Sequence, residues 1–99
     1  MKKKIYISGK ITGLDEQEAI DNFFAAETRI LGSGNIPINP LKIIPYKEGL
    51  TWNDYMAADI KALVDCDEIL MLPNYKDSKG ALLELQIALG LGLTVRFLK

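Results

Sequence analysis

The stretch Glu68-Ile69-Leu70-Met71-Leu72 contains four consecutive apolar residues and is followed at once by Pro73. A continuous apolar run suits a strand that is covered on both faces, because a strand with one wet face alternates apolar and polar residues. Strands of this kind lie inside parallel sheets. We therefore predict that residues 68–72 form a central strand.

The segment before this strand alternates between extended and helical patterns. Ile5–Ser8 and Ile36–Asn39 have strand character, and the apolar residues of Leu14–Leu31 recur at helical spacing. Pro37 has no amide hydrogen to donate, so its strand is predicted to lie at a sheet edge. An irregular loop is predicted over Leu41–Leu50.

Two further helices and a last strand are marked by capping residues and a glycine. Thr51 can cap a helix that runs to about Asp65, with Asp54 at the capping-box position. After a loop, Ser78 can cap a helix that runs to about Leu91, where Gly92 ends it. Residues 94–98 then have strand character.

The resulting order β-α-β-α-β-α-β is typical of right-handed crossovers and a parallel sheet. We predict one α/β domain over residues 1–99, with a Rossmann-like or flavodoxin-like four-stranded parallel sheet and helices on both faces. The length of 99 residues suits one domain rather than two.

Composition and charge exclude several classes of function. The formal net charge of −1 provides no general attraction for nucleic acid or an anionic membrane. The chain has no histidine, which excludes Ser-His-Asp and Cys–His catalysis and histidine-ligated metals. Its single cysteine, Cys66, fits a reducing compartment. With no signal peptide or membrane span in the sequence, we expect a cytoplasmic protein that binds neither nucleic acid nor membranes.

The loops at the carboxyl ends of the strands are the predicted place for a ligand. The loops that begin at Ser8 and Pro73 each lead into a helix N-terminus, which favours phosphate. Gly9 and Gly13 would let the backbone approach a ligand closely, although glycines in such loops are often only turn formers. Neither the dinucleotide-binding glycine pattern nor a P-loop is present.

Two carboxylates stand among apolar residues on their predicted helices. Asp59 falls within an apolar stripe, and Glu84 lies in a helix that is apolar nearly all round. Such a pair can divide the labour of glycosidic cleavage between a nucleophile and an acid, or each can be an ordinary solvated or capping carboxylate. Glu27 also falls on an apolar stripe, but toward the end of the sheet away from the ligand loops. The stripe around Asp59 consists of Trp52, Tyr55, Met56, Ile60 and Leu63.

Two segments resemble the nucleoside 2-deoxyribosyltransferase superfamily. Tyr6-Ile7-Ser8-Gly9-Lys10-Ile11-Thr12-Gly13 is similar to its opening strand and loop, especially in the deoxynucleoside 5′-monophosphate N-glycosidases. Ser78-Lys79-Gly80-Ala81-Leu82-Leu83-Glu84-Leu85 resembles its nucleophile segment, with a glycine four residues before the glutamate. The whole chain, with Trp-x-x-Tyr-Met before the acid, also resembles a small bacterial and phage branch of this superfamily. Leu82 departs from the pattern, where the superfamily has a second glycine.

The resemblance implies a role for each matching residue. Glu84 matches the nucleophile that attacks the anomeric carbon, and Asp59, eight residues before Asp67, matches the acid that assists departure of the base. Tyr6 matches a tyrosine near the nucleophile. Substrate or phosphate contacts are implied for Ser8, Gly9, Ile11, Thr12, Gly13, Ser78 and Gly80. No metal and no organic cofactor is implied.

The function expected from the resemblance is cleavage or transfer of the N-glycosidic bond of a nucleotide or (deoxy)nucleoside. A homodimer or higher homo-oligomer is also expected, since relatives complete their sites across a dimer. Two alternatives stay open: a non-catalytic nucleotide-binding module and a small oligomeric interaction protein. Trp52 and Tyr55 could stack a base, or they could be core or dimer contacts.

Overall fold

The computed structural model describes residues 2–44 and 47–99. Its four strands and four α-helices alternate largely as the sequence predicts, with one additional short helix. In chain order they are β1 (Lys4–Ser8), α1 (Glu16–Gly32), β2 (Ile36–Ile38), α2 (Pro40–Ile43), α3 (Trp52–Leu63), β3 (Glu68–Met71), α4 (Lys79–Leu91) and β4 (Thr94–Phe97).

The strands form one parallel sheet in the order β2-β1-β3-β4. The predicted central position of β3 is therefore confirmed, and so is the edge position of β2, the strand that contains Pro37. The structure also confirms an α/β fold with a four-stranded parallel sheet.

Alternate residues of β1 and β3 point to opposite faces of the sheet, as strand geometry requires. On one face, Ile5 and Ile7 pack in a cluster with Phe23 of α1. On the other face, Tyr6 packs in a cluster with Leu63 of α3 and with residues of α4. Helices thus cover both faces, as predicted.

Side-chain caps set the ends of several helices. Thr51 and Asp54 form the predicted capping box of α3, and Ser78 Oγ accepts a hydrogen bond from the Ala81 amide at the start of α4. Gly92 ends α4 in the left-handed conformation, with a φ of 77°. Helix α1 begins at Glu16 rather than at Leu14, because the Asp15 side chain caps it.

The predicted loop over residues 41–50 is wrong in its first part, where α2 lies. Asn39 accepts a hydrogen bond from the Leu41 amide, and Pro40 occupies the first helical turn. Both features favour helix initiation, and a helix of four residues is too short to show helical periodicity in the sequence. The loop prediction for residues 45 and 46 lies outside the described residues. A 3₁₀ turn at Tyr75–Asp77 occupies the end of the loop after β3.

The chain connections create a crevice at the carboxyl ends of β1 and β3. The chain leaves β1 toward α1 on one face and leaves β3 toward α4 on the other. Such a divergence between neighbouring parallel strands is the usual ligand-binding position in open α/β sheets. In the part of the chain that the structure describes, no helix has both the length and the apolar character needed to span a membrane.

Candidate active site

The centre of the candidate site is the buried carboxylate of Glu84, which is only 4% exposed. The hydroxyl of Tyr6 donates a hydrogen bond to its Oε2 over 2.7 Å, and Ser8 Oγ donates one to its Oε1, also over 2.7 Å. Both oxygens of the carboxylate are therefore held by side chains of a single strand, β1. Charge-assisted bonds of this length are among the strong ones in proteins.

The local sequence explains why these groups meet. Tyr6 and Ser8 are two residues apart on β1, so their side chains share the face that α3 and α4 cover. Glu84 lies in the second turn of α4, close to the carboxyl end of the sheet. Burial raises the pKa of Glu84, while the hydrogen bonds from Ser8 and Tyr6 oppose that rise. Burial and the neighbouring Glu84 carboxylate also raise the pKa of the Tyr6 phenol, so Tyr6 stays a donor.

Asp59 brings a second carboxylate to the same place from α3, and it is 8% exposed. Desolvation and the nearby charge of Glu84 raise its pKa to about 7. Within residues 2–44 and 47–99, the Asp59 side chain makes no hydrogen bond. Every fully buried side-chain oxygen in these ranges has a partner, so the Asp59 oxygens are not fully buried. The Asp59 carboxylate is therefore open to the cleft that it lines.

The cleft has a volume of about 1150 Å³ and contains both carboxylates in its lining. Sites for small molecules commonly have volumes of about 300–1,000 Å³, so a nucleotide can be accommodated. The cleft runs from the start of α4, past α3 and the loop after β1, to α1 and α2.

The predicted loop residues divide into three groups in the structure. Gly9, Ile11 and Thr12 line the cleft. Gly13 has a φ of 84° and serves the turn before α1. Ser8 has its hydroxyl on Glu84 instead.

Gly9 also has a packing role that the sequence did not reveal. A Cβ at this position would lie 2.5 Å from Leu72 Cδ1 and 2.8 Å from Leu72 Cβ. The glycine therefore allows close approach of β1 and β3 as well as access to the cleft.

Ser78 and Gly80 both line the cleft at the start of α4. Because Ser78 Oγ accepts from the Ala81 amide, its hydroxyl hydrogen stays available for a ligand. A Cβ on Gly80 would lie 3.1 Å from Met56 Sδ, so this glycine also brings α4 close to α3.

Lys79 is a cleft residue that the sequence interpretation passed over. Its Nζ lies 4.9 Å from the ring centroid of Trp52, across the space between the starts of α3 and α4. The helix dipole opposes a cation in the first turn of a helix. The position of Lys79 directly after the capping residue Ser78 was therefore a sequence signal that could have identified Lys79 as a functional residue. Trp52 is a partly exposed cleft residue rather than a core residue.

Glu27, which shares the buried helical position of the two site carboxylates, has an ordinary ion-pair partner. Lys42 Nζ of α2 lies 2.9 Å from Glu27 Oε1. Glu27 does not line the cleft among the described residues. Within residues 2–44 and 47–99, no three potential metal-ligating side chains lie close enough together to hold a metal ion.

A family described as "Domain of unknown function (DUF4406)" matches residues 3–97 of the chain. The fold is similar to that of a 2-deoxyribosyltransferase from the psychrotolerant bacterium Bacillus psychrosaccharolyticus, with a TM-score of 0.71 and 20% identity over 95% of this chain and 70% of that one. It is also similar to a 2-deoxyribosyltransferase from Leishmania mexicana, with a TM-score of 0.68 and 22% identity over 96% of this chain. The match covers 63% of the Leishmania chain, less than two thirds of its length. No curated protein matches the sequence significantly. These similarities confirm the fold expected from the resemblance.

Proposed function

The chain belongs to the DUF4406 family, and from its fold and paired carboxylates we propose that it cleaves or transfers the N-glycosidic bond of a nucleotide or (deoxy)nucleoside. The observation that carries this proposal is the buried Glu84 carboxylate, fixed at both oxygens, in one cleft with the Asp59 carboxylate, which makes no hydrogen bond to the described residues. The fold shared with two 2-deoxyribosyltransferases supports the proposal.

In the first step, an oxygen of Glu84 forms a bond to the anomeric carbon of the sugar while the bond from that carbon to the base nitrogen breaks. The electron pair of the broken bond goes to the base, and Asp59 supplies the proton that neutralises it. An ionised nucleophile and a protonated acid are both needed, and two carboxylates in one cleft can share a single proton in this way.

In the second step, water or a second base attacks the anomeric carbon of the glycosyl ester, and Glu84 leaves as a carboxylate. Asp59, now ionised, takes the proton of the attacking group. Two displacements at the same carbon retain its configuration. Neither step uses a metal or an organic cofactor.

The walls of the cleft favour a nucleotide as the substrate class. The start of α4, with the Ser78 hydroxyl and the Lys79 ammonium group, suits an anionic phosphate. Gly9, Ile11 and Thr12 of the loop after β1 line the same cleft. Lys79 Nζ lies over one face of the Trp52 ring, and the opposite face is the one proposed to stack on a base.

The test is to incubate the protein with a panel of ribo- and deoxyribonucleoside 5′-monophosphates and the matching nucleosides, and to measure free base by chromatography. Release of free base establishes glycosidic cleavage, and a requirement for the phosphate supports the role of Ser78. If no panel member loses its base but monophosphates raise the melting temperature, the cleft is a binding site without turnover and the proposed activity is wrong.

We also propose that α4 packs against a second copy of the chain in a homodimer. Its outer face exposes four leucines, although a helix that is apolar nearly all round is expected to be buried. A chain of 99 residues buries a small core and gains stability from such a contact. The exposed residues are Leu82, Leu83, Leu89 and Leu91.

Leu89→Glu is expected to separate this dimer, because it places a charge at the most exposed of the four leucines. Leu31 of α1 has the same exposure, 60%, so Leu31→Glu is a matched control that should leave the dimer intact. Light scattering should give twice the chain mass of 11.0 kDa for the wild type and for the control. A monomeric wild type would contradict the proposal.

A further inference from the structure

Ser8 is fully buried, and its hydroxyl has a single side-chain partner within the described ranges, Glu84 Oε1. The sequence pattern placed Ser8 in the loop that was expected to contact substrate. Its side chain is instead on the covered face of the sheet, beside that of Tyr6. The cleft lining in the described part of the chain does not include Ser8.

The strand that contains Ser8 is a rigid support. β1 is paired on both sides, with β2 and with β3, and Ser8 is in register with Met71. Side chains on such a strand hold a neighbouring group more accurately than side chains on a loop. Tyr6 and Ser8 therefore fix the plane of the Glu84 carboxylate as a pair, one donor to each oxygen.

We propose that Ser8 is a positioning residue, which keeps the Glu84 carboxylate ionised and aimed into the cleft, and that it does not contact substrate. The inference rests on the proposed function, because it takes Glu84 as the nucleophile. Two hydroxyl donors favour the ionised carboxylate, since that form accepts both bonds. A protonated Glu84 would have to donate from one oxygen, which breaks the arrangement.

Among the described residues, the titratable groups that face Glu84 are Tyr6 from β1 and Asp59 from α3. The same cleft is also lined by Glu16 of α1, Tyr55 of α3, and Asp77 and Lys79 at the start of α4. Removing the Ser8 donor takes away a bond made to the ionised form. The pKa of Glu84 must therefore rise in Ser8→Ala. The acidic limb of the rate profile, where Glu84 becomes ionised, should move to higher pH.

The first experiment compares the pH dependence of kcat and KM in the wild type and Ser8→Ala. We expect kcat to fall about 10- to 100-fold with KM within about twofold, because the lost bond orients the nucleophile rather than the substrate. The acidic limb of the kcat profile should move to higher pH by about one unit. Ser8→Cys, with a weak donor of similar shape, should recover part of kcat. A Ser8→Ala enzyme with the kcat and acidic limb of the wild type would overturn the inference.

The second experiment measures the ionisation of Glu84 without any substrate. The side-chain carboxyl carbon of Glu84 is titrated by ¹³C NMR, with its signal assigned by its loss in Glu84→Gln. Its pKa should be about one unit higher in Ser8→Ala than in the wild type. In Ser33→Ala, the control, the pKa should be unchanged, because the Ser33 hydroxyl donates to the Ile30 carbonyl oxygen and accepts from Asn35 Nδ2, and neither partner lines the cleft. An unchanged Glu84 pKa in Ser8→Ala overturns the inference, whereas a wild type that releases no base overturns the proposed function.

Discussion

Glu84→Gln is expected to lower kcat/KM for release of free base by about 10³-fold or more, while the protein keeps its fold. The amide has the shape of the carboxylate, but it has no negative charge with which to attack the anomeric carbon. Loss of a covalent nucleophile typically removes most of an enzyme's rate enhancement. The measurement is chromatographic rates at saturating and limiting substrate, with circular dichroism to confirm the fold.

Glu27→Gln is the matched control, because Glu27 is a second buried glutamate on an apolar helix face. It lies in an ion pair with Lys42 and is not among the described residues that line the cleft. We expect this variant to keep full activity and to lose about 0.5–1 kcal/mol of stability, a small loss because the Lys42 side chain is largely exposed. Full turnover by Glu84→Gln, or loss of turnover only in Glu27→Gln, would contradict the assignment of the nucleophile.

The contrast between these two glutamates shows what the sequence could and could not predict. The strands, the caps at Thr51 and Ser78, and the edge position of β2 follow from local chemistry, and the structure confirms them. A helical wheel places Glu27 and Glu84 in equivalent positions. The sequence motif around Glu84 already separates the two, but only the tertiary fold shows what each one contacts: Lys42 pairs with Glu27, and two β1 hydroxyls hold Glu84.

The contact of Ser8 with Glu84 could not be predicted from the sequence for a similar reason. The period of a strand predicts that Ser8 and Tyr6 share a face, but it does not say which helix covers them. The contact between Ser8 and Glu84 joins residues 76 positions apart. The packing of Gly9 on Leu72 is equally non-local, so its short sequence context indicated a ligand loop and nothing about strand packing.

Asp59→Asn is expected to stabilise the protein at neutral and alkaline pH. An ordinary aspartate has a pKa of about 3.9, whereas burial and Glu84 raise the pKa of Asp59 to about 7 in the folded protein. Between these two values the folded state binds a proton that the unfolded state has lost, so stability falls as pH rises through this window. The total loss is about 2–4 kcal/mol at pH 8, and an asparagine does not incur it.

Urea denaturation of wild type and Asp59→Asn at pH 4, 5, 6, 7 and 8 measures this contribution as a difference. Taking the difference removes the effect of Glu68, whose lowered pKa acts in the opposite sense, with stability lost as pH falls. The advantage of the variant should be absent at pH 4, grow between pH 5 and 7, and level off near pH 8. A constant difference across the series would mean that Asp59 has an ordinary pKa.

The same substitution should lower the rate of base release by about 10²- to 10⁴-fold, the usual contribution of a general acid. In the wild type, kcat/KM should fall tenfold per pH unit above about pH 7, because Asp59 then loses the proton that the departing base needs. A residue that lowers stability yet is required for turnover is one whose burial serves the reaction rather than the fold. If Asp59→Asn gains stability and keeps its activity, the proton must come from another group, and Asp59 is not the acid.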